Sequence, residues 1–295
     1  MVGEIRKMVK PSQFDDNVAL TRGYNMAFGV MSKKLYQLIG SEVFEALLKN
    51  AVPKGKESDD AETRKFATRS LYQAVKTCGP HNVPGAVLEG CVGTFYKCLS
   101  DYQIDRRGDV GSWVREQAMV SLKEFIYMLF SVPDQDQSLS QVYAEIRISL
   151  QANTSAFFER FVGQVIQQLC EKIDKVREVA GRALQEFFKQ VIVPYHQKGQ
   201  VVDFSLREPL TALFTSSDLL TGQPAESVEL GQVGYLPWRS AEFVFTSIRP
   251  FFDSDFYSIS IFKGLITSSG GLTESTLKAS SNSLFQYLSS LGPTE

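Results

Sequence analysis

The sequence predicts an all-α protein, an α-solenoid of HEAT-like or armadillo-like helix pairs, and three observations carry that expectation. Apolar residues recur at i, i+3, i+4 and i+7 along nearly the whole chain, the stripe of an amphipathic helix. The pattern R-x-x-A-x-x-x-L occurs three times, at Arg64-Ala67-Leu71, Arg115-Ala118-Leu122 and Arg177-Ala180-Leu184. Sustained apolar–polar alternation is missing, so an extensive sheet is not expected; VVDF at 201–204 is at most a short extended piece.

In chain order, the pattern predicts helices over 12–30, 40–50, 61–77, 85–99, 110–131, 138–150, 155–171, 174–192, 240–248, 255–268 and 272–290. The polar stretch Pro53 through Asp60 separates the second from the third, and Cys78-Gly79-Pro80-His81-Asn82-Val83-Pro84-Gly85 separates the third from the fourth. Ala118, Leu122, Phe125, Ile126 and Leu129 give the fifth its apolar face, and Val132-Pro133-Asp134-Gln135-Asp136 ends it. Phe158, Phe161, Val162, Val165, Ile166 and Leu169 stripe the helix at 155–171, while Ile173, Val176, Ala180, Leu184, Phe187, Phe188 and Val191 stripe the next. His196 to Pro237 is rich in Gly, Gln, Ser and Pro and reads as a long connection with one short helix around Leu206 to Phe214. Ser269-Gly270-Gly271 breaks the last pair, and Thr273-Glu274 opens the final helix as N-cap and first-turn acid. The expected organisation is therefore helical repeats over 1–195, an irregular connection over 196–237, and C-terminal repeats of the same solenoid over 238–295.

The three pattern copies lie 51 and 62 residues apart, longer than the HEAT period of about 40–47. In a stack of helix pairs their residues have distinct duties. Ala180 and its counterpart Ala118 permit close approach, Leu184 and Leu122 fill the layer between helices, and Arg177 and Arg115 pair with an acid of a neighbouring turn. The acids preceding the three arginines are Asp60, Asp109 and Asp174.

Composition narrows the function. Of 295 residues, Lys+Arg 31 against Asp+Glu 33 gives net charge -2, without the basic excess of a nucleic-acid binder. The longest nearly unbroken apolar run, Phe125 to Phe130, is far short of the roughly 20 residues a membrane span needs. MVGEIRKMVK lacks the apolar core of a secretory signal, so a cytosolic protein is expected. Two histidines, His81 and His196, and four cysteines without a C-x-x-C pair offer no expected metal site. Cys91 and Cys98 are seven apart on one helical face and read as small apolar core residues in a reducing compartment. With no nucleophile elbow, P-loop or dinucleotide fingerprint, neither a catalytic residue nor a cofactor is expected.

Some motifs admit two readings. Arg107-Gly108-Asp109 resembles an integrin-binding tripeptide, but the structural alternative has Gly108 at a backbone turn, Asp109 capping the helix of Trp113, and Gly111 leaving room for close packing. Arg106, Arg107 and Trp113 are also residue types that anchor interfaces. Trp238 and Arg239, after Tyr235-Leu236-Pro237, are either a core anchor or an exposed contact. Gly270 and Gly271 precede a helix start that could hold a phosphate, although Glu274 would repel one, and a tight turn is the favoured reading. Arg115 and Arg177 are expected as structural ladder residues rather than arginine fingers.

Four segments together resemble a known family. DYQIDRRGDVGSWVREQAM (101–119) resembles the most distinctive stretch of the tubulin-folding cofactor D family, in which an acidic-Tyr segment leads to R-G-D-V-G, a Trp, V-R and Ala-Met. LTRGYNMAFGVM (20–31), EKIDKVREVAGRAL (171–184) and YSISIFKGLITSSGGLTESTLKASSNSLFQYL (257–288) resemble further family segments in the same order. Phe28 stands where the family tends to have Leu, and Met31-Ser32 where it tends to have Leu-Pro. The resemblance is to the C-terminal part of much longer proteins, so the chain is expected to begin at its own Met1 without the preceding helical array. It implies an interaction protein that binds β-tubulin after the cytosolic chaperonin and works with cofactors E and C and a small Arf-like GTPase. Assembly and disassembly of the αβ heterodimer, a cytoplasmic location associated with microtubules or centrosomes, and stimulation of GTP hydrolysis follow from it. Arg106 or Arg107 is then the candidate arginine for the GTPase or for an acidic tubulin surface; a generic HEAT-repeat scaffold is the alternative that the repeat pattern permits and the four segments disfavour.

Overall fold

The computed structural model describes Gly3 and residues 17–53, 60–130, 141–146, 154–199, 202–216, 236–271 and 273–291. Parts of four expected helices, residues 12–16, 131, 138–140, 147–150 and 272, lie outside the described residues. The expected all-α class holds: apart from one two-stranded hairpin, the described regular structure is helical. The chain divides into two compact units, Met1–Ala152 and Asn153–Glu295.

In the first unit, helix α1 (Val18–Gly29) opens at Asn17, whose side chain accepts from the Leu20 amide at 3.0 Å. Helix α2 spans Lys33–Ala51, seven residues earlier than the expected start at 40. The difference has a local cause. Ile39 leaves helical geometry (φ -143°, ψ 18°), so a first helical piece meets a second at a kink, just before the expected start. Helix α3 (Ala61–Cys78) is capped by Asp60, which accepts from the Thr63 amide at 2.8 Å, and it stops at Gly79, whose φ of 80° suits glycine. Helix α4 covers Gly85–Cys98 and helix α5 Gly111–Phe130. Between them, strands β1 (Ile104–Asp105) and β2 (Gly108–Asp109) pair antiparallel, Ile104 with Asp109 and Asp105 with Gly108.

Helix α3 is the centre of this unit, packing against α1, α2, α4 and α5. Small residues let its neighbours come close. A side chain on Gly29 of α1 would sit 2.5 Å from Ser70 Oγ, and Ser121 of α5 hydrogen-bonds the Thr68 carbonyl of α3 at 3.4 Å. Ala67, Leu71, Ala118, Leu122, Phe125 and Ile126 are buried in the layers so formed. The Ala and Leu of the recurring pattern are thus in the core.

The second unit holds α6 (Thr154–Leu169), α7 (Asp174–Phe187), α8 (Val193–Gln197), α9 (Arg207–Thr215), α10 (Ala241–Ile248), α11 (Ser258–Ser269) and α12 (Glu274–Ser290). The expected single helix over 174–192 runs through α7 into a π turn at Phe188–Ile192 and then α8. Pro194 has no amide hydrogen to donate, and a widened turn is one way a helix accommodates that loss. Helix α6 packs between α7 and α11, and α12 packs against α10 and α11. A Cβ on Gly264 would lie 2.4 Å from Cys170 Cβ, so the glycine sets how closely α11 approaches the end of α6. Phe158, Phe161, Phe187, Phe188, Phe214 and Trp238 form a continuous aromatic core; the Phe161 and Phe187 rings meet edge-on at 4.9 Å and those of Phe188 and Phe214 stack at 5.3 Å.

Leu122 is fully buried on the face of α5 that the pattern assigns to packing. Leu122→Ala is expected to lower unfolding stability by about 2–5 kcal/mol, read from the denaturant midpoint; an unchanged midpoint would place the packing face elsewhere.

Candidate partner interface

The three pattern arginines are all buried, each near the start of its helix, and each binds the loops around it. Arg64 Nε donates to Asp101 Oδ2 at 2.7 Å, with both side chains 1% exposed, and its Nη2 donates to the Gln103 side chain. Arg115 Nη1 donates to the Asp101 carbonyl at 2.6 Å, and its fork reaches Asp109 at 3.1 and 3.0 Å. Arg177 donates to the carbonyls of Glu171 at 2.7 Å, Lys172 at 2.9 Å and Arg239 at 2.7 Å. A guanidinium offers five donors in a fixed fork, so one side chain satisfies several loop carbonyls at once.

The pairing acids differ from those expected for two copies. Asp60 is taken by Arg22, whose Nε and Nη2 donate at 2.7 and 2.6 Å and whose Nη1 pairs with Glu62. Arg64 instead reaches Asp101. Asp174 is exposed at the start of α7, accepts from the Lys175 amide at 2.7 Å and acts on Arg177 only through space. Burial pulls Arg177 below the ordinary arginine value, with Asp174 and Glu171 opposing it. Burial opposes ionisation of Asp60 as well, but hydrogen bonds from Arg22 and Thr63 outweigh it and hold its carboxyl below the usual range.

Arg64 and Arg115 together fix the segment Asp101–Gln103, and with it the base of the hairpin. Asp109 accepts from the Ser112 amide at 3.0 Å and so caps α5. Gly111 is forced: a Cβ there would stand 2.3 Å from the Asp101 carbonyl oxygen. Gly108 turns with φ 101°. The hairpin tip therefore presents Arg106 and Arg107, both exposed, from a stitched base. Arg107 is engaged locally: it donates to Asp105 at 2.7 Å, its guanidinium carbon lies 5.0 Å from the centre of the half-buried Trp113 ring, and its hydrogen bonds hold Asp105 below the usual carboxylate range. Tyr102 covers Arg115, with the guanidinium carbon 4.1 Å from the ring centre.

In the second unit Trp238 is a core anchor, 1% exposed, its indole N–H donating to Gln185 Oε1 at 2.9 Å. Gly181 makes the space for it, because a Cβ would lie 2.1 Å from the indole. Arg239 is exposed, and its Nε donates to Glu178 at 2.9 Å. Glu178 also takes Lys175 at 3.0 Å and Arg182 at 2.7 Å. Three cations thus gather around one carboxylate, a basic cluster drawn from residues 175–182 and 239. Arg239 was visible in the sequence, but its 61-residue separation from Glu178 concealed the cluster. Gly270 and Gly271 form the tight turn between α11 and α12, with the Gly271 amide donating to the Ser268 carbonyl at 2.9 Å.

All four cysteines are buried thiols, and burial pushes Cys91 up to about 12 and Cys98 up to about 11. No group of three or more metal-ligating side chains occurs among the described residues, and no described helix is long and apolar enough to cross a membrane.

Fold and site together define an all-α helical-repeat protein whose loops are pinned by buried arginines and whose exposed hairpin and loop carry basic groups. Residues 159–294 match the family described as tubulin folding cofactor D C terminal. A tubulin-specific chaperone D from Dictyostelium discoideum is 28% identical over 204 residues, covering 60% of this chain and 13% of that protein. The chain thus corresponds to a small part of its relative's length. No solved structure matches the chain.

Removing Arg64 strands a buried carboxylate. Arg64→Met is expected to cost about 3–5 kcal/mol of unfolding free energy, and adding Asp101→Leu to recover part of it; additive losses would show that the two do not interact. Asp60 gives a pH signature. Its carboxyl is depressed in the folded state, so its stabilisation is present above the unfolded value of about 3.9 and fades as pH falls through the lower folded value. Denaturant midpoints measured from pH 6 down to pH 3 should fall less steeply in Arg22→Gln than in the parent, and parallel curves would refute the assignment.

Proposed function

We propose that this chain is a tubulin-folding cofactor D-like protein that binds β-tubulin and partner cofactors in post-chaperonin tubulin folding, without covalent chemistry of its own. The match of residues 159–294 to the cofactor D C-terminal family supports this reading most directly. In it, cofactors E and C and a small Arf-like GTPase are the partners, αβ heterodimer assembly and disassembly the process, and the cytoplasm and microtubule surroundings the place. The geometry adds a physical reason. The hairpin with Arg106 and Arg107 and the cluster of Lys175, Arg182 and Arg239 are exposed guanidinium and ammonium groups set on pinned backbone, suited to carboxylate recognition and to steering an acidic partner.

A GTPase-activating role within a cofactor assembly would fall to Arg106. Arg64, Arg115 and Arg177 are consumed in the core, and Arg107 already binds Asp105. Arg106→Glu/Arg107→Glu in the full chain is expected to reduce β-tubulin co-purification markedly while the thermal midpoint stays within a few degrees. Early unfolding of the double variant would make the pair structural, and undiminished tubulin recovery would remove the hairpin from the interface.

A further inference from the structure

Helix α12 is packed the wrong way round for a surface helix. Its buried positions are Thr276, Ser280 and Ser283, with Ser280 Oγ turned back onto the Thr276 carbonyl at 2.9 Å. Leu277, Phe285, Leu288 and Leu291 are exposed instead, Phe285 by 68%. Leu277, Leu288 and Leu291 recur at i, i+11 and i+14, so they lie along one stripe, with Phe285 at its edge.

Helix α11 supplies the other half. Ile259 and Ile266, 64% and 65% exposed, stand at i and i+7. The register between the two helices is fixed by the Phe262 and Tyr287 rings at 5.5 Å and by the Ser269–Ser280 hydroxyl contact at 3.3 Å. It sets Ile266 opposite position 283 and Ile259 opposite position 290. The apolar stripes of α11 and α12 therefore run beside each other as one two-helix surface, which single scattered apolar residues would not form.

The charge on this surface selects its occupant. Lys263 occupies i+4 between Ile259 and Ile266, is exposed, and forms no ion pair among the described residues. Glu274 and Lys278 neutralise each other at 2.6 Å. A second copy laid face to face would bring another Lys263 onto the same strip, a like-charge conflict. We infer that the α11–α12 surface docks an amphipathic helix of a different protein, one whose apolar stripe carries a carboxylate placed to meet Lys263. Helix-in-groove binding of this kind is read through anchors at helical spacing, which the Leu and Ile stripes supply. This goes beyond the proposed tubulin role, because it specifies the chemistry of a docking element rather than the protein that bears it.

The probe is a lactam-stapled Leu/Ala helix of about four turns, labelled at one end, with Glu at the centre of its leucine stripe; a twin carries Lys there. Fluorescence anisotropy with the full chain should show saturable binding of the Glu peptide, about three-fold tighter than the Lys twin, as expected for one exposed ion pair. Lys263→Glu should reverse that preference, and Ile259→Asp/Leu288→Asp should abolish binding of both peptides with the helical circular dichroism retained. Absence of saturable binding, binding indifferent to the Asp pair, or a preference unmoved by Lys263→Glu would overturn the inference, as would a dimer in sedimentation that dissociates in the Asp variant. Tubulin takes no part in these measurements, so failure here and failure of tubulin co-purification are separate results.

Discussion

The buried guanidinium is the constraint on which the rest of the structure depends. Connections between helices end in carbonyls that no helix satisfies, and burying them unpaired is costly. Arg64, Arg115 and Arg177 each enter near a helix start and carry donors to those carbonyls or to a nearby carboxylate. Each arginine belongs to the same helix as the Ala and Leu that pack the layer, so helix position and loop position are set by one element. The charge cannot leave its partners without becoming an uncompensated ion in the core. That asymmetry makes the pins rigid whatever their net contribution to stability.

The two units use the device differently, and their surfaces differ as a result. Arg64 and Arg115 are matched by the carboxylates of Asp101 and Asp109, so the interior below the hairpin is close to neutral. Arg177 is matched mainly by carbonyl dipoles, and Asp174 is left at the surface. The Arg239 carbonyl is one of those acceptors, which means that the same pin orients the Trp238 turn inward and its arginine outward toward Glu178. Trp238 fits only because Gly181 is bare. A basic cluster on the surface is thus positioned by a polar contact beneath it.

These relations were unevenly legible in the sequence. The all-α class, the Ala and Leu layer residues and the capping role of Asp109 follow from spacing, since i, i+3 and i+7 relations are local and survive any tertiary arrangement. The sequence pairs Arg64 with Asp60, the acid one helical turn before it, yet Arg22 takes Asp60 from 38 residues away and Arg64 reaches Asp101 37 residues on. Local periodicity carries no term for such choices. The kink at Ile39 separates the first turns of α2 from the stretch over 40–50, and the π turn at Phe188–Ile192 lies within an apolar stripe that local spacing reads as one helix. The orientation of α12 was illegible for a deeper reason: its leucine stripe predicts a buried face, and the fold buries the serines beside it.

That reversal connects stability to function. Small hydroxylated residues at Thr276, Ser280 and Ser283 allow close helix approach but bury little apolar area, so α12 contributes modestly to its own unit. The apolar surface it withholds from folding remains for association, where burial of the same Leu and Phe side chains stabilises a complex instead. A helix that spent its leucines on the core would gain stability and lose that capacity. Lys263 fits the same logic. In the core an unpaired ammonium would be expensive, whereas beside Ile259 and Ile266 on an open face it remains hydrated until a partner brings a carboxylate, and discriminates against partners that do not.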